Sequence, residues 1–347
     1  MNNPSFNTAI GANNHLHPKS GRKAVLAQLV FVLVALSLIL FFRDRARFHT
    51  FGIIFVSIVL EALPFMLLGT FIGGFIEVFI PREKIARWLP ERRWWAVFIG
   101  AGMGLIFPVC ECAIVPVVRR LIHKGVPLSA AIAFLLGGPI VNPLVAASTA
   151  VAYFGNWSIA ARRMFFGYLI AAAIGLLMDL IFTKAQAVRS EVFSDNDHAN
   201  VADISGSGKP STLGEKLGLA VGHAANDFFD IGRFLVIGAF FAGALQTLVP
   251  RQAFAMVAHT PALSIVIMMI MAVVLNLCSE ADAFVAASFR SSLVPLSAQM
   301  AFMILGPMLD IKLILMYLKV FRLRAIVVLA ALTVLAVFLS MVTMQTG

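Results

Sequence analysis

The sequence predicts an all-α polytopic membrane protein: an N-terminal anchor helix, then two homologous helical repeats, inverted relative to each other, each holding broken or re-entrant helices. Three observations predict it. The 347-residue chain is 60% hydrophobic and only 13% charged, with a mean hydropathy of +0.93, whereas soluble domains carry about 25% charged residues. Its apolar runs reach the roughly 20 residues a helix needs to cross hydrocarbon. Its second half also repeats motifs of the first at near-constant spacing. The net charge of +10 collects at the ends of apolar runs and reads as membrane topology, not as affinity for nucleic acid.

Residues 1–23 are polar, lack a small-residue cleavage pattern and read as a cytoplasmic N-terminus. The apolar run 24–42 that comes next is long for a signal-peptide core and reads as a retained first span. After a basic turn at Arg43, Arg45 and Arg47 comes segment A, Phe51 to Ile80, interrupted by Glu61 and Pro64. Its Gly69 and Gly73, at GxxxG spacing, predict close helix contact. A loop with Arg82, Lys84, Arg87, Arg92 and Arg93, flanked by Trp88, Trp94 and Trp95, marks a cytoplasmic interface.

Segment B, Trp94 to Ile122, is broken at PVCECAIVP; segment C, Val126 to Phe154, at GGPIVNP; segment D runs from Arg163 to Phe182. Together residues 51–182 form the first repeat. Residues 183–219 read as a polar linker. Its SGSGKPS lacks the first glycine and the Ser/Thr of a phosphate loop. The second repeat occupies 220–345. Glu61 aligns with Asp230, Gly69 with Gly238, Gly74 with Gly243 and Pro81 with Pro250, all 169 positions apart. Val126-Pro-Leu-Ser-Ala130 aligns with Val294-Pro-Leu-Ser-Ala298, and Gly138-Pro139 with Gly306-Pro307, all 168 apart. One residue is lost between, so either Cys110 matches Cys278 or Glu111 matches Glu280.

Lys and Arg in the connections split 14 inside to 11 outside if every segment crosses, and 18 to 7 if B and its counterpart B' are hairpins that return to their starting side. The positive-inside rule favours the hairpins. Letting C and its counterpart C' re-enter as well gives 18 to 7 again, so charge leaves C open. Hairpins at B alone leave three crossings per repeat, hence inverted halves, the common transporter plan.

Glu111 and Glu280 fall at the turns of B and B'. An ionised carboxylate at the bilayer centre costs about 2.5–3.5 kcal/mol on insertion scales, so such groups mark coupling or gating. A structural alternative is that each accepts backbone N–H bonds from a broken helix. Asp282 and Asp310 lie beside the second-half breaks, with Asn142 in the position of Asp310. Lys312 and Arg233 read as the only cations at depth, Arg233 pairing with Asp230 or Glu61. Glu77 and Asp179 lie near segment ends and read as reaching the interface.

Cys110, Cys112 and Cys278, the only cysteines, all fall at the B breaks. Thiolates suit soft ions, although small packing residues would fit crowded turns equally. Zinc wants four ligands, and no histidine lies at depth, so no metal site and no cofactor is expected. The glycine-proline breaks, Gly138-Pro139 and Gly306-Pro307, expose backbone groups and helix ends able to hold an ion or solute.

PVCEC, GVPLSAAIAFLLGGPIVNP, NLCSEADAF and VPLSAQMAFMILGPMLDIK together closely resemble a permease family long carried under an unknown-function label, which includes organoarsenical efflux permeases. The resemblance covers about residues 51–345 and implies a multi-pass permease of the cell inner membrane. Some relatives export trivalent methylated or aromatic arsenicals. It marks Cys110, Glu111, Cys112, Gly138, Pro139, Asn142, Cys278, Glu280 and Asp310 without dividing roles among them.

The expected function is movement of a small solute across the membrane, with efflux of trivalent organoarsenicals or another thiophilic species, coupled to protons, as the specific form. Substrate contact is expected from Cys110, Cys112, Cys278, Gly138, Pro139, Asn142, Gly306, Pro307 and Asp310, and coupling or gating from Glu111, Glu280, Asp282, Glu61, Asp230 and Arg233. The expected partners are the lipid bilayer and a small-molecule or metalloid substrate; oligomeric state is left open. A channel with re-entrant pore turns is the alternative. An enzyme is not expected: a Cys110–Glu111 pair would lack a histidine at depth, and no HExxH or GxSxG occurs.

Overall fold

The structure is a computed structural model that describes residues 45–79, 93–189, 213–248, 261–292 and 294–346. The expected N-terminus and first span, most of the basic loop after segment A, and residues 190–212 of the expected linker lie outside the described residues. The chain divides into two compact units, Met1–Thr50 and Phe51–Gly347, and the buried core of the described residues lies in the second.

Among the described residues there is no strand beyond one isolated bridge, Val188 to Phe321. The helices are α1 (Arg45–Phe79), α2 (Arg93–Gly102), α3 (Glu111–His123), α4 (Leu128–Gly137), α5 (Pro143–Ala152), α6 (Trp157–Ile181), α7 (Lys184–Ala187), α8 (Leu213–Leu248), α9 (Pro261–Leu275), α10 (Asp282–Ser288), α11 (Leu296–Met308), α12 (Ile311–Val320) and α13 (Leu323–Thr346). Among the described residues five stretches are long and apolar enough to cross a membrane: Phe48–Phe79, Trp157–Ile181, Leu213–Thr247, Leu296–Val320 and Leu323–Gln345. The fourth is 78% buried in its most apolar window against 39% or less for the others, so the broken α11–α12 element is the central one.

Local chemistry explains where the helices start and stop. Segment B divides into α2 and α3 because the chain passes through a 3-10 turn, Met103–Leu105, and an extended Cys110. Glu111 then occupies the first turn of α3, where a carboxylate suits the positive end of the helix dipole. Asn142 caps α5 by accepting from Leu144 N, with Pro143 at its first position. Asp310 caps α12 by accepting from Leu313 N at 2.6 Å.

The second-half break is displaced from its expected place. α11 runs through Gly306 and Pro307 and ends at Met308, leaving only Leu309 and Asp310 between it and α12. Proline removes the donor that the carbonyl four residues earlier needs. That carbonyl belongs to Met303, and it accepts instead from Arg163 Nη2 at 3.0 Å. An external donor therefore lets the helix continue, as freed backbone groups in spanning helices require.

Contacts fix which termini share an end of the molecule. At the first end Lys124 Nζ meets Glu77 Oε1 at 3.2 Å, Lys184 Nζ donates to the Ile122 carbonyl, and Arg322 N donates to the Ala187 carbonyl. The ends of α1, α3, α6 and α12 thus lie together. At the second end Tyr153 Oη donates to Gln299 Oε1, and Gln345 Nε2 to Ser297 Oγ. Hence α4–α5 runs from the first end to the second and α11–α12 runs back.

Glycines permit the tightest approaches. A Cβ on Gly69 would lie 2.5 Å from the Ala113 carbonyl oxygen, one on Gly238 2.6 Å from Lys312 Cα, and one on Gly100 2.5 Å from the Ala130 carbonyl oxygen. The GxxxG expectation is met by Gly69, whose neighbour is α3. The outward surface is apolar, with Leu60, Val151, Phe154 and Leu180 each more than 60% exposed, while Glu111, Arg163, Asp310 and Lys312 are buried. This distribution suits a lipid solvent.

Candidate functional site

Two breaks meet in the interior. Glu111, at the start of α3, receives Lys312 Nζ on Oε1 at 3.0 Å and the backbone N–H of Ser279 on Oε2 at 3.3 Å. Lys312 also stands 3.5 Å from Asp310 Oδ2. In the orientation that satisfies both groups, the Asn276 amide donates to Asp310 Oδ2 at 2.6 Å and Oδ1 at 3.0 Å. Asn276 adopts φ +49°, a left-handed conformation that asparagine tolerates better than most residues. Three segments distant in sequence thus converge on one lysine–carboxylate group.

The cysteines border this group. The Cys110 and Cys112 thiols neighbour each other, and Cys112 interacts electrostatically with Lys312 and Glu111. Cys278 lies within hydrogen-bonding reach of Glu61 and Glu280 and also interacts with Glu111. All three are free; Cys110 and Cys112 are buried and Cys278 is half-buried. Among the described residues no three or more His, Cys, Asp or Glu side chains form a metal-holding cluster. The chemistry available is two soft sulfurs from one break and one from the other beside a buried acid–base pair.

A second ion pair adjoins the first. Arg163 Nη2 lies 2.7 Å from Asp282 Oδ2, 3.1 Å from the Ser279 carbonyl and 3.0 Å from the Met303 carbonyl, while Nη1 donates to Thr149 Oγ1 at 2.8 Å. Ser279 therefore joins the pairs: its N–H serves Glu111 and its carbonyl serves Arg163.

A separate ionic group closes the first end. Arg119 and Arg120 hold the two oxygens of Asp227 at 2.8 and 2.7 Å, and Glu77 takes Lys124 and His123 at 3.2 and 3.5 Å. Lys319 and Arg233 reach Asp230, each at 3.2 Å.

Several expectations are corrected by these positions. Arg233 pairs with Asp230 one turn away, the first of its two expected partners, and not with Glu61; its side chain is 56% exposed. The deep cations are Lys312 and Arg163, with Arg119, Arg120 and Lys124 buried nearer the first end. Glu77, expected near a segment end, is buried in the ionic group at the first end. Residues 183–189 and 213–219, expected in the linker, hold α7, the Val188 bridge and the first turns of α8. Gly306 and Pro307 lie inside α11, and the carbonyl that Pro307 leaves free, that of Met303, accepts from Arg163.

Gly138 and Pro139 do form a turn, with Gly138 packed against the Ile114 side chain one turn beyond Glu111. Sequence reasoning overlooked Arg163, Asp227, Asn276 and Ser279. Arg163 follows Arg162 at a segment start and reads as an interfacial charge. The other signal available was Pro307, whose freed carbonyl demanded a buried donor.

A family model described as a predicted permease matches residues 47–346. The UPF0718 protein YcgR of Bacillus subtilis is 40% identical over 280 residues, covering 81% of this chain and 92% of that protein. A protein of Streptococcus mutans named as a putative two-component membrane permease complex subunit is 36% identical over 276 residues, 79% of this chain and 87% of its own. The UPF0718 protein YraQ of Escherichia coli is 30% identical over 111 residues, 32% of each chain. No solved structure matches.

Proposed function

We propose a transport mechanism from one premise, that this chain belongs to the predicted permease family. It is a multi-pass membrane transporter. The solute passes between the α2–α3 and α9–α10 breaks, at the Glu111–Lys312 pair. The observation that carries this reading is that pair itself: two fully buried charges from opposite halves of the chain, bordered by all three cysteines. A buried pair is weak evidence for stability alone, and ionisable groups at membrane depth mark solute or proton pathways.

Inverted repeats are part of the proposal. They are supported by α1 and α8, where Gly74 meets Ala220 and Ala224 while Gly243 meets Phe51 and Phe55. Positions 74, 51 and 55 precede 243, 220 and 224 by the same 169 residues, so one contact is the two-fold image of the other. Because early residues of one helix meet late residues of the other, the two run antiparallel. The opposed courses of α4–α5 and α11–α12 agree. Lys184, Arg189, Arg322 and Arg324 gather at the first end, which the positive-inside rule assigns to the cytoplasm of an inner membrane.

For the cargo, the neighbouring thiols of Cys110 and Cys112 with Cys278 from the other break favour a thiophilic species, a trivalent organoarsenical first among them, moved outward. The carboxylates would couple that movement to protons. A relative bears the name of a permease-complex subunit, so native membrane vesicles, which retain any second subunit, are the right preparation. Inside-out vesicles should accumulate a trivalent aryl arsenical with saturable kinetics and an imposed proton gradient should change the rate. Cys110→Ser and Glu111→Gln should each reduce it at least tenfold. Normal transport by both variants would remove the proposed site, and unsaturable, gradient-independent flux would indicate a channel.

A further inference from the structure

The central group holds three fully buried carboxylates, Glu111, Asp282 and Asp310, against two fully buried cations, Arg163 and Lys312. One negative charge is in excess. The three acids differ in how they are satisfied. Both oxygens of Glu111 have donors, Lys312 and the Ser279 N–H. Both oxygens of Asp310 have them too, from Leu313 N, the Asn276 amide and Lys312. Asp282 receives Arg163 on Oδ2 only, and its Oδ1 is buried without a hydrogen-bond partner. Leaving such an oxygen bare forfeits the hydration it had in water, a heavier loss for a charged group than for a neutral one. The protein keeps it bare beside a break, 2% exposed.

The neighbours of Asp282 are arranged so that its charge is dispensable. Arg163 retains Thr149 Oγ1, the Ser279 carbonyl and the Met303 carbonyl if the carboxylate is neutralised, so it is not orphaned. The other charged or titratable groups that interact with Asp282 are Glu111 from α3, Glu280 in the same break and Tyr153 at the end of α5; α11, packed against α10, contributes none. Glu111 and Glu280 thus set two further carboxyl groups near Asp282. Glu280 is half-buried and two positions away, a relay for a proton between water and the interior.

We propose that Asp282 is the proton-loading site of this permease and that Arg163, through the Ser279 peptide, transmits its state to the Glu111–Lys312 pair. The inference deepens the proposed transport function and rests on it for its role in coupling. A proton from water adds to Oδ1, the Arg163–Asp282 pair weakens, and the Ser279 peptide, held by Arg163 at its carbonyl and by Glu111 at its N–H, is released to move with the solute site. Loss of the proton restores the pair.

Infrared difference spectra of the purified full chain between alkaline and acid pH test this without any solute. With isotope-labelled aspartate, wild type should show a titrating buried carboxyl band that shifts with the label; labelled glutamate should leave that band in place. In Asp282→Glu the band should transfer to the glutamate label. Arg163→Lys, which leaves the acid in place, should move the midpoint pH. A buried band that follows the glutamate label in wild type, that stays in the aspartate label of Asp282→Glu, or whose midpoint is indifferent to Arg163→Lys overturns the proposal. So does the absence of any titrating buried carboxyl. Vesicle transport by wild type is scored separately, so an active permease with no titrating aspartate sinks the proton site alone.

Discussion

Lys312 reaches Glu111 at 3.0 Å from 201 positions away in the chain, and the pair is one of the points where the two halves hold each other electrostatically, with Arg163–Asp282 and Arg119–Asp227. Removing one partner of a buried pair strands the other charge, at a cost of about 3–5 kcal/mol. Lys312→Met is therefore expected to lower stability by that order, and Glu111→Gln by less, because Lys312 keeps Asp310 as a second anion. The double variant should recover much of the Lys312→Met loss. Thermal unfolding of the four proteins in one detergent gives the cycle; purely additive losses would mean the two groups are not coupled.

The close approach of α1 to α3 and of α8 to α12 rests on Gly69 and Gly238, each pressed against the backbone of a residue in or near this pair. Adding a methyl where none fits costs about 1–3 kcal/mol. Gly69→Ala and Gly238→Ala should each fall in that range. Gly218→Ala, with nothing within 4 Å of its would-be Cβ, should gain about 1 kcal/mol from helix propensity. Equal behaviour of all three in thermal melts would show that contact is not what glycine provides.

Much of this arrangement was legible because the membrane makes polar residues conspicuous. Glu111, Asp282, Asp310 and Lys312 stand out in apolar sequence, and the helix starts at Asn142 and Asp310 carry ordinary capping chemistry. Arg163 was not legible. It lies near the start of α6 beside Arg162, where a long side chain ordinarily reaches water, and only the fold turns it inward to Asp282 and to the carbonyl that Pro307 leaves bare. Asp227 was missed for a related reason: its partners Arg119 and Arg120 lie more than 100 positions away and read as the charges of a segment end. Pro307 marked a break in the sequence yet stayed helical, because a tertiary donor replaced the missing local bond.

Thiol access should rank the three cysteines. Cys278 is half-buried, whereas the free thiols of Cys110 and Cys112 are both buried. A small maleimide applied to membranes should label Cys278 first, and a trivalent aryl arsenical should protect it if the cysteines share a solute. Labelling scored on single-cysteine variants checks this. Preferential labelling of Cys110 would place the open face of the site on the other break.

Asp310 performs two functions that one substitution pair can separate. As the cap of α12 it accepts from Leu313 N, and as an anion it stands 3.5 Å from Lys312. Asparagine caps as well as aspartate, whereas alanine loses about 0.5–2 kcal/mol. Asp310→Asn should therefore keep most of the stability that Asp310→Ala loses, while both remove the second anion from Lys312 and tighten its hold on Glu111. The residue 168 positions earlier, Asn142, already caps α5 without a charge, so the protein tolerates the neutral cap at one of its two breaks. If transport in Asp310→Asn stays at wild-type rate while Asp310→Ala merely unfolds, Asp310 is a cap and nothing more. If Asp310→Asn is stable but slow, the charge on Asp310 serves to keep Lys312 from locking onto Glu111, and the difference between Asn142 and Asp310 is where the two halves divide their labour.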